Sequence, residues 1–409
     1  MVNETFYLKE SGSSLLFSEN EIKIKEAFES SGYGIRVFHD NKIGFAYCEQ
    51  EKDLGKALDN AKKAARLEIK NFSFVEKSVY KKINIMDRKI LEIDETHLKD
   101  IIYEIKSGIE KFTKNCRINV EAGNLGLNIK NTSGLDANYE KTGIEIYAEA
   151  MLDDGFGHSY LSSVSLPEDF VKIGEEAGEM ARAMRGAKKM QSASYTVVFD
   201  LEALHSMLSV LLPSFSGDWK RRKISFISDK VNKKIFSDEL NIYDDAAASA
   251  SAIRPFDDEG APSRRIPLIE NGVIKNFLYD HETAALDNYT GNGACSRGDY
   301  STPPSIGNSN LVINSSNGYS NFENELKEFI LVKSLHGTHT SNLTTGDFGV
   351  EVNAGFHYKD GQANPVRGFI ISGNIFNLFN SIEGMEKNSK VFDNLIAPRI
   401  AFKDVHVVS

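Results

Sequence analysis

The sequence predicts an α+β protein in which N-terminal α/β units precede a large, mostly antiparallel β domain with helices at its margins. Up to about residue 192, apolar residues at helical spacing alternate with strand-like runs. Beyond that point, short apolar runs separated by Gly, Asn and Asp dominate. The chain has 409 residues, 41% of them hydrophobic, which is enough for two or three domains. We expect units at 1–76, 77–192 and 193–409.

The first unit is predicted to contain strands, one helix and a linker. Residues 21–25 alternate apolar and polar side chains, as a half-buried strand does. The runs 33–38 and 42–47 flank a His-Asp-Asn turn and predict a hairpin. An apolar stripe of Leu and Ala predicts a helix over 53–70. The mixed and charged composition of 72–91 indicates a linker.

The second unit begins with a helix that is predicted over 94–113 from isoleucines at helical spacing. Strands are then expected at 118–122, 125–131 and 139–152. A helix rich in Ala and Gly is expected over 167–184 and closes the unit. The pattern therefore favours a second small α/β arrangement.

The third unit is expected to be rich in strands. A helix begins at about Asp200, and from 265 onward the strand-like runs are 265–269, 273–278, 311–313 and 369–371. A Glu-Asn-Gly turn joins the first two runs and is a strong hairpin signal. These features predict the large β domain.

Charge and composition exclude several classes of protein. The net charge of -10 makes direct nucleic-acid binding a poor expectation, because phosphate contacts depend on Lys and Arg. The three cysteines show no metal-binding or disulfide spacing. Neither a signal peptide nor a run of 18 apolar residues is recognisable, so we expect a cytoplasmic protein that does not enter a membrane.

Several motifs, in one order along the chain, resemble the TldD/PmbA family, whose members were once called modulators of DNA gyrase. The likeness spans nearly the whole chain and is loosest in the middle. Its blocks are Gly34-Ile-Arg-Val37 with Gly44-Phe45, Pro255-Phe-Asp-Asp-Glu-Gly260, Thr290-Gly-Asn-Gly-Ala294, Thr345-Gly-Asp-Phe348 and Pro365-Val-Arg-Gly-Phe-Ile-Ile-Ser-Gly-Asn374.

The resemblance implies a peptidase system with two kinds of chain. TldD-like chains hold zinc through His-Glu-x-x-x-His on a helix before a Gly-Asp pair, with a later cysteine as third ligand. When the pair is aligned on Gly217-Asp218, Leu208, Ser209 and Pro213 occupy the His, Glu and His positions. No cysteine follows Cys295. The chain therefore resembles the PmbA branch, also called TldE, and we expect no zinc, no other cofactor and no catalytic residue in it.

The same resemblance implies the partners. A TldD-like subunit would supply the zinc, and the two chains together would form a channel for unfolded peptides. We expect a dimer that buries at least about 2,000 Å², as permanent interfaces do. A homodimer that binds peptide or protein without hydrolysis is the alternative from another functional class.

Two further sets of residues leave alternatives open. His336 and His339 could hold a relocated metal ion, or they could be ordinary loop histidines. The acidic run Asp257, Asp258 and Glu259 precedes Arg264 and Arg265. These five residues could recognise a peptide beside an exposed strand edge, or they could form ion pairs with one another.

Overall fold

The computed structural model describes residues 2–315 and 318–409. Seven strands form an antiparallel N-terminal sheet in the order β4-β3-β2-β1-β5-β6-β7. In chain order they are β1 (Val2–Ser18), β2 (Glu21–His39), β3 (Lys42–Cys48), β4 (Leu67–Glu68), β5 (Cys116–Asn131), β6 (Asp136–Leu152) and β7 (Gly155–Ser163). Strand β1 pairs with β5 along its length, so the two predicted N-terminal units share one sheet.

The strands of this sheet are longer than the sequence predicts, because each half of a strand buries a different face. In β5, Ile118 and Val120 pack with the helices, whereas Leu127 and Ile129 pack with the C-terminal domain. The apolar positions change from even to odd between the two halves, and neighbouring residues in a strand face opposite sides. That inversion explains why the prediction of two strands at 118–122 and 125–131 was wrong.

Four helices accompany the sheet: α1 (Leu54–Ala64), α2 (Arg88–Leu91), α3 (Glu95–Ile109) and α4 (Phe170–Ala183). Helices α3 and α4 lie side by side on one face of the sheet and share its apolar core. Asp94 begins α3 by accepting hydrogen bonds from the first-turn backbone N–H groups. The predicted linker over 72–91 contains α2 and buries Phe72 and Phe74, so it is part of the packed structure.

The C-terminal domain contains two larger sheets. Its strands are β8 (Ala193–Phe199), β9 (Ile242–Asp245), β10 (Arg265–Glu270), β11 (Val273–Ile274), β12 (Cys295–Ser296), β13 (Ser305–Ile306), β14 (Leu311–Ile313), β15 (Glu328–His336), β16 (Asp347–Lys359), β17 (Gln362–Val366), β18 (Phe369–Asn374), β19 (Ile382–Met385), β20 (Lys390–Phe392), β21 (Leu395–Ala397) and β22 (Ile400–Val408). The helices are α5 (Leu201–Leu211), α6 (Gly217–Arg221), α7 (His281–Leu286), α8 (Phe322–Glu325) and α9 (Ile375–Asn380).

One sheet has the order β11-β10-β9-β14-β21-β20, and the other has the order β15-β8-β22-β18-β16-β17 with β19 beside β22. Strand β15 also pairs with β16, which closes the second sheet on itself. Two strand pairs, β8–β15 and β14–β21, are parallel. The predicted α+β class with a mostly antiparallel C-terminal domain is confirmed.

Helix α5 lies at the centre of the largest apolar core. Leu204, Met207, Leu208 and Leu211 are all fully buried there, together with side chains from both C-terminal sheets. Such burial of an apolar helix face supplies most of the free energy that holds a helix to a domain. Within the described chain, no helix is long and apolar enough to cross a membrane.

Candidate functional site

Helix α5 and the turn after it carry the positions at which the sequence analysis expected a lost metal motif. The side chain of Leu208 is fully buried in the core. Ser209 is exposed, and its hydroxyl donates to the carbonyl of Ser206 at 2.6 Å. Pro213 lies in the short 3-10 helix Leu212–Phe215 that continues α5. Leu208 therefore packs in the core, Ser209 bonds to the backbone of its own helix, and Pro213 lies in the turn that follows.

The Gly-Asp pair after this helix is held by packing. The N–H of Gly217 donates to the carbonyl of Leu278 at 2.8 Å. A Cβ atom at Gly217 would lie 2.3 Å from the ring of Tyr279, so a larger residue does not fit. The carboxylate of Asp218 accepts from Arg221 at 2.8 Å, within the same short helix. The pair thus fixes the path of the chain beside α5.

A groove of about 480 Å³, which we call the α5 groove, runs along the exposed side of this segment. In its wall, Nε2 of His205 lies 2.8 Å from Oδ1 of Asn394. Polar and aromatic side chains that line it include His205, Ser209, Trp219, Asn308 and Asn394, and Pro213 also lines it. The groove is the open surface at the place where the family resemblance locates a metal site.

The residues of the α5 groove do not fit a zinc ion. Zinc in a hydrolase is held by three protein ligands drawn from His, Cys, Asp and Glu. Among the side chains that line the groove, His205 alone belongs to that set. No chemical step through a metal can be derived for this surface.

The two histidines of the alternative metal hypothesis are neighbours but lack a third ligand. His336 ends β15, and His339 lies in the next 3-10 turn, with ring centroids 6.3 Å apart. Both side chains are exposed. Within residues 2–315 and 318–409, no further His, Cys, Asp or Glu completes a three-ligand group with them.

The acidic run of the Phe-Asp-Asp-Glu block is buried. Oε1 of Glu259 accepts from Nη1 of Arg36 at 2.6 Å, and Oε2 accepts from the N–H of His281 at 2.8 Å. Arg36 also donates twice to Glu4 at 2.8 Å. Because Arg36 and Glu4 belong to the N-terminal sheet, these ion pairs join that sheet to the C-terminal domain.

Asp257 accepts hydrogen bonds from three backbone N–H groups, including that of Cys295 at 3.1 Å. Burial, and then the charge of Glu259, raises the pKa of Asp257. Asp258 accepts from the N–H of Arg297 at 2.7 Å. The carboxylates of this run are therefore held by hydrogen bonds in the interior and do not lie on the outer surface of the protein.

The predicted ion pairs between this run and the next two arginines do not form. Arg264 and Arg265 are exposed, and the guanidinium of Arg265 lies 4.0 Å above the ring of Tyr243. Glu259 instead pairs with Arg36 of the N-terminal sheet, and Oδ1 of Asp258 lies 3.6 Å from Nη1 of Arg254. Of the five residues predicted to recognise a peptide, only Arg264 and Arg265 are exposed to one.

One buried group has the residue types of a metal site. Ligand atoms of Asp257, Glu259 and Cys295 lie within 4.8 Å of one another. Burial, and then the charges of Glu259 and Asp257, raises the pKa of the Cys295 thiol well above its ordinary value. A protonated thiol is a poor ligand, since metals bind the thiolate. Together with the carboxylate hydrogen bonds described above, this favours a structural role.

A contact between the N-terminal sheet and α5 was not predicted from the sequence. Nε2 of His158, on β7, lies 2.8 and 2.9 Å from the two carboxylate oxygens of Glu202. Burial alone lowers the pKa of His158, but the hydrogen bond and charge of Glu202 outweigh it and raise the pKa above its ordinary value. A cavity of about 510 Å³ beside the pair also includes Lys333. No sequence signal could pair these residues, which are 44 positions apart.

Known proteins resemble this chain over most of its length. Residues 192–409 match the family model described as the PmbA/TldA metallopeptidase C-terminal domain, and residues 4–65 match PmbA/TldA metallopeptidase domain 1. An uncharacterized protein of Methanocaldococcus jannaschii is 30% identical over 385 residues, covering 91% of this chain and 88% of that protein. A metalloprotease of Methanothermobacter thermautotrophicus is 23% identical, covering 91% and 85%.

The fold also matches a solved structure. TldE from Thermococcus kodakarensis superposes with a TM-score of 0.90 at 24% identity, covering 100% of this chain and 97% of that one. At this level of identity the likeness establishes the shared fold.

Proposed function

Because the chain belongs to the PmbA/TldD metallopeptidase family, we propose that it is the non-catalytic, TldE-like subunit of a cytoplasmic peptidase for unfolded peptides. A TldD-like subunit would carry the zinc ion and the hydrolytic chemistry. This chain would form part of the wall of the peptide channel.

The observation that carries the proposal is the chemistry of the α5 groove. Leu208, Ser209 and Pro213 stand at the aligned ligand positions, and His205 is the one zinc-favoured ligand type on the groove surface. Three ligands and an open water position are the minimum for a zinc hydrolase. The groove itself stays open and has a mixed apolar and polar lining, which suits the backbone and side chains of an extended peptide.

The cytoplasmic part of the proposal is supported by the cysteines. Cys48, Cys116 and Cys295 are all free thiols in the structure. Proteins of oxidising compartments commonly pair such residues as disulfides, whereas cytoplasmic proteins keep them reduced.

The first experiment separates the subunit from an independent enzyme. The full chain is purified alone and together with the TldD-like chain of the same genome, and zinc, mass and hydrolysis of an unfolded peptide are measured. We expect well under one zinc per chain for the protein alone, and hydrolysis only with the partner present. Stoichiometric zinc in the protein alone that disappears in a His336→Ala/His339→Ala variant would reject the proposal in favour of a relocated metal site.

Sedimentation of the same samples tests assembly. A heterodimer with the TldD-like chain is expected, because a permanent interface of at least about 2,000 Å² completes the channel. A homodimer that does not associate with the TldD-like chain and binds peptide without hydrolysis would replace the proposed role with that of a stand-alone peptide binder.

The second experiment tests the groove directly. Ser209→Trp places a bulky ring at an exposed position in the α5 groove, so we expect weaker peptide binding by the complex and unchanged thermal stability. Ser133→Trp is the matched control, because Ser133 is an exposed serine in the turn between β5 and β6. Equal peptide binding by the two variants would show that the groove is not the peptide path.

A further inference from the structure

A second cavity, of about 260 Å³, lies between the N-terminal sheet and the C-terminal domain. We call it the arginine cavity, after Arg254 and Arg297 in its wall. Strands β1, β5 and β6 form one side of it, and the segments around the two arginines form the other. Its volume is below the range of about 300–1,000 Å³ that is usual for pockets of drug-sized ligands. The cavity therefore suits one small group better than a whole ligand.

Arg254 has hydrogen-bond donors without acceptors in this wall. The residue is 9% exposed, and its Nε and Nη2 atoms are buried without a partner among the described residues. Its nearest carboxylate oxygen, Oδ1 of Asp258, lies 3.6 Å from the remaining nitrogen Nη1. A guanidinium is always charged, and buried polar groups of this kind almost always have partners. A planar ligand with two acceptor oxygens would supply them.

Arg297 lines the same cavity, but two of its three guanidinium nitrogens already have acceptors. Its Nη2 donates to Glu4 at 2.6 Å, and its Nε donates to the carbonyl of Asp258 at 3.1 Å. Its Nη1 is buried without a partner among the described residues, so two unpaired donors come from Arg254 and one from Arg297.

Lys141 adds a second cation to the wall. Its Nζ donates to the backbone carbonyl of Ser251 at 2.5 Å, and an ammonium group has two further donors. Burial, and then the positive charge of Arg254, lowers the pKa of Lys141 to about 8. The charged side chains that line the cavity are Arg254, Arg297, Lys141, Asp258 and Glu10, three cations against two carboxylates. Because Arg297 is paired with Glu4, the preference for an anion rests on the unpaired donors and not on the net charge of the lining.

The arginine cavity adjoins the α5 groove, because Asn308 lines both. An extended chain in the groove could thus place its end in the cavity. We propose that the arginine cavity holds the terminal carboxylate of a peptide that lies in the α5 groove. This inference rests on the proposed function, since it names the end of the substrate that this subunit grips.

The test compares peptides that differ in one group. An unfolded fluorescent peptide with a free carboxyl terminus, its C-terminal amide, and an amide that ends in aspartate are titrated into the full chain, and into the complex with its partner, by fluorescence anisotropy. We expect the free acid to bind about tenfold more tightly than the plain amide, since charge-assisted hydrogen bonds are the strong ones.

Variants then locate the effect. Arg254→Met should remove the preference for the free acid, and Arg254→Lys should keep part of it because the charge remains. Lys141→Met should reduce the preference, and it serves as the second variant if Arg254→Met does not fold. Arg88→Met removes an exposed arginine on α2, away from both cavities, and should change nothing.

The outcomes distinguish this inference from the function on which it rests. Equal affinity for the free acid and the plain amide would overturn the carboxylate site and leave the peptide-handling subunit intact. Equal affinity for the free acid and the aspartate amide would overturn the assignment to the chain end, because a side-chain carboxylate would then serve as well. No binding of any peptide, to the chain or to the complex, would overturn both proposals.

Discussion

Replacing Arg36 with methionine should strongly destabilise the protein. Arg36 is 2% exposed and makes three charged hydrogen bonds, two to Glu4 and one to Glu259. In the variant, Glu4 still accepts a hydrogen bond from Arg297. The carboxylate of Glu259 then accepts only from the N–H of His281. Breaking a buried ion pair on one side costs about 3–5 kcal/mol, because a desolvated charge is left without its partner.

The size of this loss should depend on pH. Burial alone raises the pKa of Glu259, but Arg36 outweighs it and holds the pKa below its ordinary value. In the natural protein the contribution of Glu259 is present above the pKa of the unfolded chain and is lost as pH falls through the lower folded value. In Arg36→Met the carboxyl loses that support and its pKa rises. The variant should therefore recover part of the deficit at acidic pH.

Urea unfolding followed by circular dichroism measures the change. Lys130→Met is the matched control, because the Lys130–Asp136 pair lies in the same sheet with both side chains about 60% exposed. Such a surface pair contributes no more than about 1 kcal/mol. If Arg36→Met costs no more than Lys130→Met, the buried ion pairs do not hold the N-terminal sheet to the C-terminal domain.

Three further predictions concern packing and protonation. Glu202→Gln should lower stability by on the order of 1 kcal/mol near pH 6. The loss should vanish by about pH 9, because the raised pKa of His158 makes the pair stabilising below the ordinary value of 6.5 and ineffective once pH exceeds the raised value. Unfolding at both pH values checks this, and a pH-independent loss would contradict it. Leu208→Ala should cost about 2–5 kcal/mol through a core cavity, whereas Ser209→Ala should be nearly neutral; equal urea midpoints would refute the assigned burial. Gly174→Ala should cost about 1–3 kcal/mol, since the new Cβ would lie 1.9 Å from a carbonyl oxygen of α3; an unchanged melting temperature would argue against this helix contact.

The order of helices and strands could largely be predicted from the sequence wherever an element buries the same face along its whole length. The helices over 94–113 and 167–184 were expected and are found as α3 and α4, because a single apolar stripe meets the sheet. Strand β1 was not predicted. Its apolar pairs Phe6/Leu8 and Leu15/Phe17 face opposite sides, with Ser and Gly between them. Alternation is a reliable strand signal only while one face stays buried.

For the candidate site too, the residue types could be read from the sequence, whereas burial and contacts could not. The side chains at positions 208, 209 and 213 are a property of the sequence, and so is the scarcity of metal ligands around them. The sequence could not show that Asp257 and Glu259 are buried, and it suggested that they might meet Arg264 and Arg265. Their neighbours in the structure come from distant segments, since Arg36 and Glu259 are 223 positions apart.

By itself, therefore, the sequence determined the fold class, the amphipathic helices and the chemistry available on α5, since these depend on residue types and local spacing. Tertiary structure alone decided which charges are buried, which arginine donors lack acceptors, and that Asn308 lines both a groove and a cavity. Those properties arise when the N-terminal sheet closes on the C-terminal domain. Electrostatic interactions then depend on burial and on distances between atoms, which no spacing along the chain records.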